Sequence, residues 1–307
     1  MQEKNPHIQY LKHHQIDFDK WDKCIANSCN ELIYAYSFFL NIVSPNWDAI
    51  VLNEYEVVMP LTWKSKLGIR YISQPLFTQQ LGLFSNSKNA IYQYQDLIIN
   101  ETQKHYKYID IQLNALDNNN NLELRNNFEL SLNLNNETLF KNFGHGIKDN
   151  LRKAKIQNLT IEECFDFNSL IDFFIAQKGA QFKNISIENY DTLKRLCKVL
   201  NSQNLIQGRV IKSNNQSIIA AGIFIHTSKR IIFINGTTNT EGRKNGALSY
   251  ILAKHIEEYS NQNLIFDFEG SVNPSLGKFY ESFGCYNNPY PKLKINNLPW
   301  FLKLFKK

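Results

Sequence analysis

Two carboxylates and a tyrosine in the second half of the chain are candidates for acid–base chemistry. Asp267 and Glu269 come at the end of the apolar run Leu264–Phe268, where a strand is predicted, and Tyr280 follows on a short predicted helix. Acids at the end of an apolar strand are costly to bury unless they are paired or functional. Because strand side chains alternate, both carboxylates are predicted to share one face. We expect Glu269 or Asp267 to act as a general base and Tyr280 to donate a proton, with structural pairing and core packing as the alternatives.

A glycine-rich segment lies between a β-rich run and a predicted helix. The run Arg230–Asn235 leads into a loop that carries Gly236, Gly242 and Gly246, and the predicted helix begins at Ala247. Free backbone N–H groups at such a junction form an anion site at the positive end of the helix dipole. The candidate anion-binding residues are Asn235, Gly236, Gly242, Arg243, Lys244, Asn245, Gly246 and Ala247. Their spacing excludes the dinucleotide motif G-x-G-x-x-G and the P-loop motif, and an ordinary strand-to-helix turn is the alternative.

Polar side chains also interrupt an apolar run in the first half of the chain. They are the amides and hydroxyl of Gln74, Thr78, Gln79 and Gln80. Buried polar groups need hydrogen bonds, so these side chains either hold a polar acceptor substrate in a cleft or serve the backbone of a loop. A separate basic group on a predicted helix, which includes Arg152, either binds phosphates or forms a solvated surface; its members are Lys148, Arg152, Lys153 and Lys155.

Composition limits the class of protein. The chain has 307 residues and a net charge of +6, and its 43% apolar content excludes intrinsic disorder. Anionic partners are permitted by this charge but not required. The five cysteines show no metal-ligand spacing, and with no signal peptide they predict a reducing cytoplasm and no metal. No apolar run reaches the ~20 residues that span a bilayer, although the tail Leu298–Lys307 mixes aromatics with lysines and allows weak peripheral membrane contact.

The order of predicted elements indicates a mixed α/β protein built from two copies of one domain. Helices and strands recur in the same order about 156 residues apart, although few residues are shared between the halves. We therefore predict domains at 1–135 and 136–307, with the boundary in the polar stretch Asn133–Glu137. A single large sheet is the alternative.

Two motifs resemble the GNAT acetyltransferase superfamily. Arg243–Leu248 is similar to the pyrophosphate-loop pattern Q/R-x-x-G-x-G/A, with Leu248 in place of the last small residue. Phe279–Cys285 is similar to the pattern F-Y-x-x-x-G-F except for the final Cys. The resemblance implies two tandem GNAT-like acyltransferase domains, with acyl-CoA as a co-substrate of the second.

The doubled element order narrows the resemblance to FemABX-like proteins, which include peptidoglycan-bridge aminoacyltransferases. Asn150–Lys155 looks like the start of their second domain, and Tyr71–Gly82 is similar to segments of bacterial FemAB-like proteins. The resemblance also implies that the C-terminal segment 290–307 packs onto the first domain.

Three functions are compatible with these residues. The first is an N-acyltransferase that uses acyl-CoA and an amine acceptor, with a backbone N–H near Asn235–Gly236 as the oxyanion donor. The second keeps the fold but takes the acyl group from an aminoacyl-tRNA and transfers it to a peptidoglycan precursor. The third is a non-catalytic binding module on the same scaffold, because function belongs to the site and not to the fold.

Overall fold

The structure is a computed structural model that describes residues 6–114, 122–179, 185–270 and 273–300. The chain divides into two compact units, Met1–Arg125 with Pro289–Lys307, and Asn126–Asn288. The helices are α1 (Phe18–Asn27), α2 (Ser37–Val43), α3 (Lys88–His105), α4 (Asn136–Asn142), α5 (His145–Ile156), α6 (Phe167–Lys178), α7 (Ile187–Ser202), α8 (Thr240–Lys244), α9 (Ala247–Glu258) and α10 (Pro274–Glu281). The strands are β1 (Ile8–Leu11), β2 (Asp48–Leu52), β3 (Val57–Leu61), β4 (Trp63–Lys66), β5 (Ile69–Ser73), β6 (Phe84–Ser85), β7 (Tyr108–Gln112), β8 (Glu123–Arg125), β9 (Phe128–Ser131), β10 (Glu162–Glu163), β11 (Ile206–Lys212), β12 (Ile218–His226), β13 (Arg230–Thr238), β14 (Ile265–Asp267), β15 (Tyr286–Asn287) and β16 (Tyr290–Asn296).

The first unit contains two sheets. Among the described residues, their strand orders are β1-β2-β3-β6 and β4-β5-β7-β16-β8. β5 and β7 run parallel, and β16 pairs antiparallel with both β7 and β8. The last strand of the chain is therefore part of the first unit. α3 packs against β2, β3 and β6 and buries Ile91 and Ile98, so its apolar stripe covers the first sheet.

The second unit is organised around a single sheet. Its strand order in the described residues is β10-β11-β12-β13-β14-β9-β15, and β13 and β14 form its parallel pair. α9 packs across β11, β12 and β13, and α5 packs along α9. α9 buries Ile251, Leu252 and Ile256, whose spacing places them on one helical stripe. The predicted meander of three strands is present as β11–β13.

Three elements differ from the predictions. The helix predicted from Glu31 to Val43 is a 3₁₀ turn followed by α2, because the N–H and hydroxyl of Ser37 both donate to Asp22 and start a new helix. The strand predicted at Gln80–Phe84 is a loop up to the short β6. β9, which the predicted boundary assigned to the first domain, pairs with β14 and buries its phenylalanine and leucine in the core of the second unit.

Candidate functional site

The parallel pair of the second unit diverges after three residues. β14 pairs with β13 only from Arg230 to Ile232, and β14 ends at Asp267. β13 continues to Thr238, paired with β12 but no longer with β14. No strand of the described residues covers this last stretch of the β13 edge on the side of β14.

Gly236 presents its backbone groups to this uncovered edge. The N–H of Asn239 donates to the carbonyl oxygen of Ile219 at 3.0 Å. Together with the register of β12 and β13, this bond shows which residues of β13 are hydrogen-bonded to β12. Backbone groups alternate between the two edges of a strand, so Asn235 and Thr237 face β12. Gly236 therefore directs its N–H and C=O to the open side. A Cβ at this position would lie 2.1 Å from the Phe233 ring, so any larger residue would force that ring to move.

The start of α9 is an uncapped helix N-terminus. Its N-cap is Gly246, which has no side chain to accept a hydrogen bond and adopts a left-handed conformation (φ +72°). The N–H groups of Ala247, Leu248 and Ser249 have no acceptor within the described ranges. These donors and the helix dipole favour an anion at this position.

The other predicted anion-loop residues have different roles. The N–H of Gly242 donates to Asn239 at 2.8 Å, and a Cβ on Gly242 would lie 2.2 Å from the carbonyl oxygen of Ile219. The N–H groups of Asn245 and Gly246 donate to carbonyl oxygens within α8. These N–H groups already donate hydrogen bonds within the protein, because the predicted loop folds into the helical turn α8. The anion-binding interpretation of Gly242, Asn245 and the Gly246 N–H is therefore corrected to a structural one.

Three cations lie near this helix start. The side chains of Arg243 and Lys244 are exposed at the end of α8. Lys178, at the end of α6, is half-buried, and burial and the nearby Arg243 guanidinium lower the pKa of its ammonium group. Neither Lys178 nor Arg243 has an acidic partner in the part of the chain that the structure describes. Unpaired cations beside an uncapped helix start suit a phosphate group.

Tyr280 lies on an aromatic floor below the divergence of β13 and β14. Its ring centroid is 5.1 Å from that of Phe268 and 6.4 Å from that of Phe233. Within the described residues its hydroxyl has no hydrogen-bond partner. Burial, and then the charge of Glu269, raise the pKa of Tyr280 well above its usual value. The hydroxyl is therefore protonated at neutral pH and available as a donor.

Asp267 does not share a face with Glu269. β14 ends at Asp267, and Glu269 has a left-handed backbone (φ +58°), so the strand alternation that predicted a common face stops between them. The N–H of Glu269 donates to the Asp267 carboxylate at 2.8 Å. Glu269 is half-buried, and its charge raises the pKa of Tyr280.

Asp267 belongs to a buried ionic cluster. It is 1% exposed and lies 2.9 Å from Nη1 of Arg230, which also contacts Glu129 at 2.7 Å. Glu129 additionally accepts hydrogen bonds from Asn127, Tyr286 and Asn288. Burial raises the pKa of Asp267 to about 6 against the opposing effect of Arg230. The enclosed carboxylate supports the structural-pairing alternative for Asp267, and a catalytic role of this residue stays a prediction.

The polar loop of the first unit is closed on itself. Nε2 of Gln74 donates to Oγ1 of Thr78 at 3.0 Å, and Oε1 of Gln74 accepts the Gln112 N–H at 3.0 Å. Thr78 Oγ1 donates to Pro75, and Gln80 donates to Gln79. These bonds support the loop interpretation of Gln74, Thr78, Gln79 and Gln80, and substrate binding by these residues stays a prediction.

Arg152 lies on the exposed surface of α5. Its guanidinium is paired with Asp149 one turn earlier on the same helix. α5 contacts α9 through a different residue, Asn150, whose side chain donates to Ser249. The geometry gives Arg152 no contact with the candidate site.

Sequence reasoning missed three charged residues of this region. Arg230 and Glu129 enclose Asp267, and Lys178 lies beside Arg243. A usable signal existed for the first two, because an arginine opening an apolar strand and a glutamate between two buried apolar residues both need partners. Lys178 offered no signal, since its neighbour is distant in sequence.

Comparison with solved structures identifies the fold. FemX matches with a TM-score of 0.68 and 12% identity, over 97% of this chain and all of that chain. The C-terminal domain of a putative lysylphosphatidylglycerol synthetase from Agrobacterium fabrum matches with a TM-score of 0.53 and 10% identity, over 92% of this chain and 91% of that chain. A tandem GNAT protein from the clavulanic acid biosynthesis pathway matches with a TM-score of 0.51 and 7% identity, over 95% of this chain and 99% of that chain. The predicted α/β fold with two tandem GNAT-like domains, similar to FemABX-like proteins, is confirmed.

Other comparisons and searches return nothing. No protein-family model and no curated protein matches the sequence. Over the described ranges, no helix combines the length and apolar character needed to cross a membrane. In the same residues, no group of three or more His, Cys, Asp or Glu side chains is placed to hold a metal ion.

Proposed function

We propose that the protein is an N-acyltransferase that moves an acyl group from acyl-CoA to an amine. One observation carries the proposal: β13 extends beyond β14 with Gly236 facing the uncovered edge, and the chain continues through α8 to the uncapped start of α9. An extended chain with amide groups can pair with such an edge as an added strand. The phosphates at its other end would meet the free N–H groups of Ala247–Ser249.

The charged groups around α9 suit the phosphates of the donor. Arg243 and Lys178 supply positive charge that no described acid neutralises. Binding a phosphate would restore the charge balance of this region and would favour the ammonium form of Lys178. Gly242 is not part of this contact, because its N–H and the space beside it are already used.

The reaction needs little chemistry beyond positioning. The amine nitrogen attacks the thioester carbon, the N–C bond forms and the C–S bond breaks. The Gly236 N–H stabilises the developing oxyanion, and Glu269 accepts the proton that the amine loses. Tyr280 donates its proton to the departing thiolate and regains one from solvent. Asp267 acts through Glu269, whose backbone it holds by the bond to the Glu269 N–H.

The test is the release of free thiol from acyl-CoA in the presence of a panel of amines. Tyr280→Phe is expected to lower kcat about 100-fold, and Glu269→Gln by a similar factor, because each removes one proton-transfer group. Tyr106→Phe is the matched control, since Tyr106 is also a buried tyrosine with a raised pKa but binds Asp48 in the first unit. Absence of thiol release with every donor and amine, or an unchanged kcat in Tyr280→Phe, would refute the proposal.

A second candidate donor is an aminoacyl-tRNA, with a peptidoglycan precursor as acceptor. One observation favours it: α5, which carries the exposed Arg152, Lys153 and Lys155, packs so tightly along α9 that a Cβ on Gly246 would lie 2.5 Å from the Asn150 carbonyl oxygen. These cations could contact an RNA backbone beside the start of α9. Transfer from aminoacyl-tRNA would then fall steeply with salt. Charge reversal at Arg152 and Lys153 separates the donors, because transfer from acyl-CoA would be unaffected.

A further inference from the structure

A groove on the helical surface of the second unit lies between α4, α5 and α9, and its volume is about 350 Å³. Leu151 and Lys155 line it from α5, where their four-residue spacing places them on one helical face. Tyr250, Ala253 and Glu257 line it from α9 at a spacing of three and then four residues. This volume is typical of small-molecule sites, whose walls are mainly apolar and aromatic. The groove is therefore large enough to hold a small molecule.

The α4 side of the groove is aromatic. Phe140 is 46% exposed, although its ring centroid lies 6.0 Å from that of Phe143 and 5.6 Å from Nζ of Lys148. That lysine also donates to the carbonyl oxygen of Lys141 at 2.9 Å, so its ammonium group is already engaged. An exposed aromatic ring in a groove lowers the free energy of binding when a ligand removes it from water. The hydrocarbon part of a ligand is therefore expected to contact Phe140.

The groove carries a positive charge that no described acid neutralises. Lys254 and Glu257, which both line it, are paired with each other at 2.6 Å. On α5, Asp149 is paired with Arg152. Lys155 is exposed, and its ammonium group has no acidic partner among the residues that the structure describes. A free ammonium group beside apolar side chains favours a ligand with one negative group.

We propose that this groove binds a small apolar molecule that carries a single carboxylate group. The carboxylate pairs with the ammonium group of Lys155, and the hydrocarbon part lies against Phe140 and Leu151. A phosphate group, with about two negative charges, would need a second free cation, but Lys254 is held by Glu257. At about 30 Å³ per water, the volume suits a molecule of about a dozen non-hydrogen atoms. Binding at this groove is independent of acyl transfer.

The experiment titrates the full-length protein with 4-phenylbutyrate and follows its backbone amides by ¹H–¹⁵N NMR. Two probes with the same carbon skeleton are matched to it: 4-phenylbutan-1-ol, which is neutral, and 4-phenylbutylammonium, which is a cation. We expect saturable shifts of the Leu151, Lys155 and Ala253 amides with 4-phenylbutyrate.

The three probes separate the contribution of charge from that of apolar contact. Affinity is expected to be about fivefold weaker for the alcohol, which lacks the ion pair, than for the acid. It should be weaker still for the ammonium probe, because Lys155 repels a second cation. Added salt should weaken the binding of the acid but not that of the alcohol, since salt screens an exposed ion pair.

Two lysines of α5 provide a matched pair of variants. Lys155→Gln removes the partner of the carboxylate and is expected to weaken the binding of 4-phenylbutyrate about fivefold, with that of the alcohol unchanged. Lys153→Gln is the control, because Lys153 is also exposed on α5 but lies two positions away and does not line the groove. Phe140→Ala is expected to weaken acid and alcohol alike, about tenfold, because both lose apolar contact.

Four results would overturn the proposal. They are the absence of a saturable shift with 4-phenylbutyrate, equal affinity for the acid and the alcohol, equal effects of Lys155→Gln and Lys153→Gln, and shifts confined to Ala247–Ser249. Tightest binding of the ammonium probe would also overturn it, because Glu257 would then determine the charge of the ligand. All the substituted side chains are exposed, so the variants are expected to fold. None of these results measures thiol release from acyl-CoA, so the groove and the acyl-donor site are tested separately.

Discussion

The two units share an order of elements but differ in what covers the edge beside their parallel strands. In the first unit, β5 ends at Ser73, and the loop after it covers the edge of β7: Gln74 N–H donates to Asp110 at 3.0 Å and Leu81 N–H donates to Gln112 at 2.9 Å. In the second unit, β13 runs on past β14 and its edge is uncovered by any described strand. The strand edge beside the parallel pair is therefore covered by a loop in the first unit and uncovered in the second.

The helices that follow show the same difference. α3 begins after Ser87, whose hydroxyl accepts from the Ala90 N–H at 3.2 Å. α9 begins after Gly246, which has no capping side chain. Backbone groups that are satisfied internally in the first unit are thus available to a ligand in the second. This contrast is the reason to assign the donor to the second unit.

The largest expected effect concerns the buried acids of the two units. Arg230→Met would leave Asp267 and Glu129 buried without their cation, and we expect the free energy of unfolding to fall by about 3–5 kcal/mol. In the first unit, Asp48 is held by hydroxyl groups, and Tyr106→Phe would remove one hydrogen bond at a cost of about 1–3 kcal/mol. Urea denaturation measures both values. Equal losses in the free energy of unfolding would show that Asp267 and Glu129 depend on Arg230 no more than Asp48 depends on the Tyr106 hydroxyl.

Two glycines with the same left-handed backbone sharpen the contrast between crowded and open positions. Gly246 (φ +72°) has the Asn150 backbone within 2.7 Å of its ideal Cβ, whereas Gly68 (φ +75°) has nothing within 4 Å. Gly68→Ala is expected to cost about 1–2 kcal/mol from backbone strain alone. Gly246→Ala adds steric overlap with α5 and is expected to cost about 3 kcal/mol in total. A similar loss for both variants, measured by thermal and urea unfolding, would contradict the tight packing of α5 on α9.

The buried histidines of the second unit predict acid sensitivity. Because His226 has a folded-state pKa of about 4 against 6.5 for the free side chain, the unfolded chain binds the proton first as the pH falls. His226 alone is expected to lower the free energy of unfolding by about 3 kcal/mol between pH 6.5 and pH 4. Denaturation of His226→Phe over this range should show a smaller loss.

Asp267 acts in the opposite direction over nearly the same range. Its pKa is raised from 3.8 to about 6, so its contribution to stability is present at low pH and is lost as the pH rises through 6. Asp267→Asn should therefore show a steeper loss of stability on acidification than wild type. A pH profile identical to that of wild type would exclude the raised pKa.

The smallest expected effect is at the capped helix of the first unit. Ser87→Ala removes the N-cap of α3 and is expected to cost about 1 kcal/mol of stability. Acyl-donor binding and thiol release should be unchanged, because the start of α3 is not a ligand site. A lowered affinity for the acyl donor in this variant would contradict the assignment of the donor to the start of α9 and not to that of α3.

The sequence predicted the architecture because its signals are local. Apolar periodicity located α3, α9 and the strands β11–β13, and the Arg243–Leu248 and Phe279–Cys285 motifs pointed to the fold that the structural comparisons confirm. Predicted helix boundaries were wrong where a side chain distant in sequence forms a hydrogen bond that starts a new helix. The interruption before α2 comes from Asp22, which lies fifteen positions from its partner Ser37.

The site was less predictable because it depends on contacts between distant segments. Residue type marked Asp267 as unusual but could not reveal that Arg230 and Glu129 enclose it, 37 and 138 positions away. In the same way, the glycines of the predicted anion loop were recognised, but which of their N–H groups remain free depends on the turn α8.

The most direct test of the assignment to the second unit is a backbone amide ¹H–¹⁵N spectrum of the full-length protein with and without acetyl-CoA. We expect saturable shifts for the amides of Gly236 and Ala247–Ser249. The amides of Gln74 and Ala90, at the equivalent positions of the first unit, should remain unchanged. Shifts confined to the first unit, or none at the β13 edge when acetyl-CoA is bound, would contradict a donor site in the second unit.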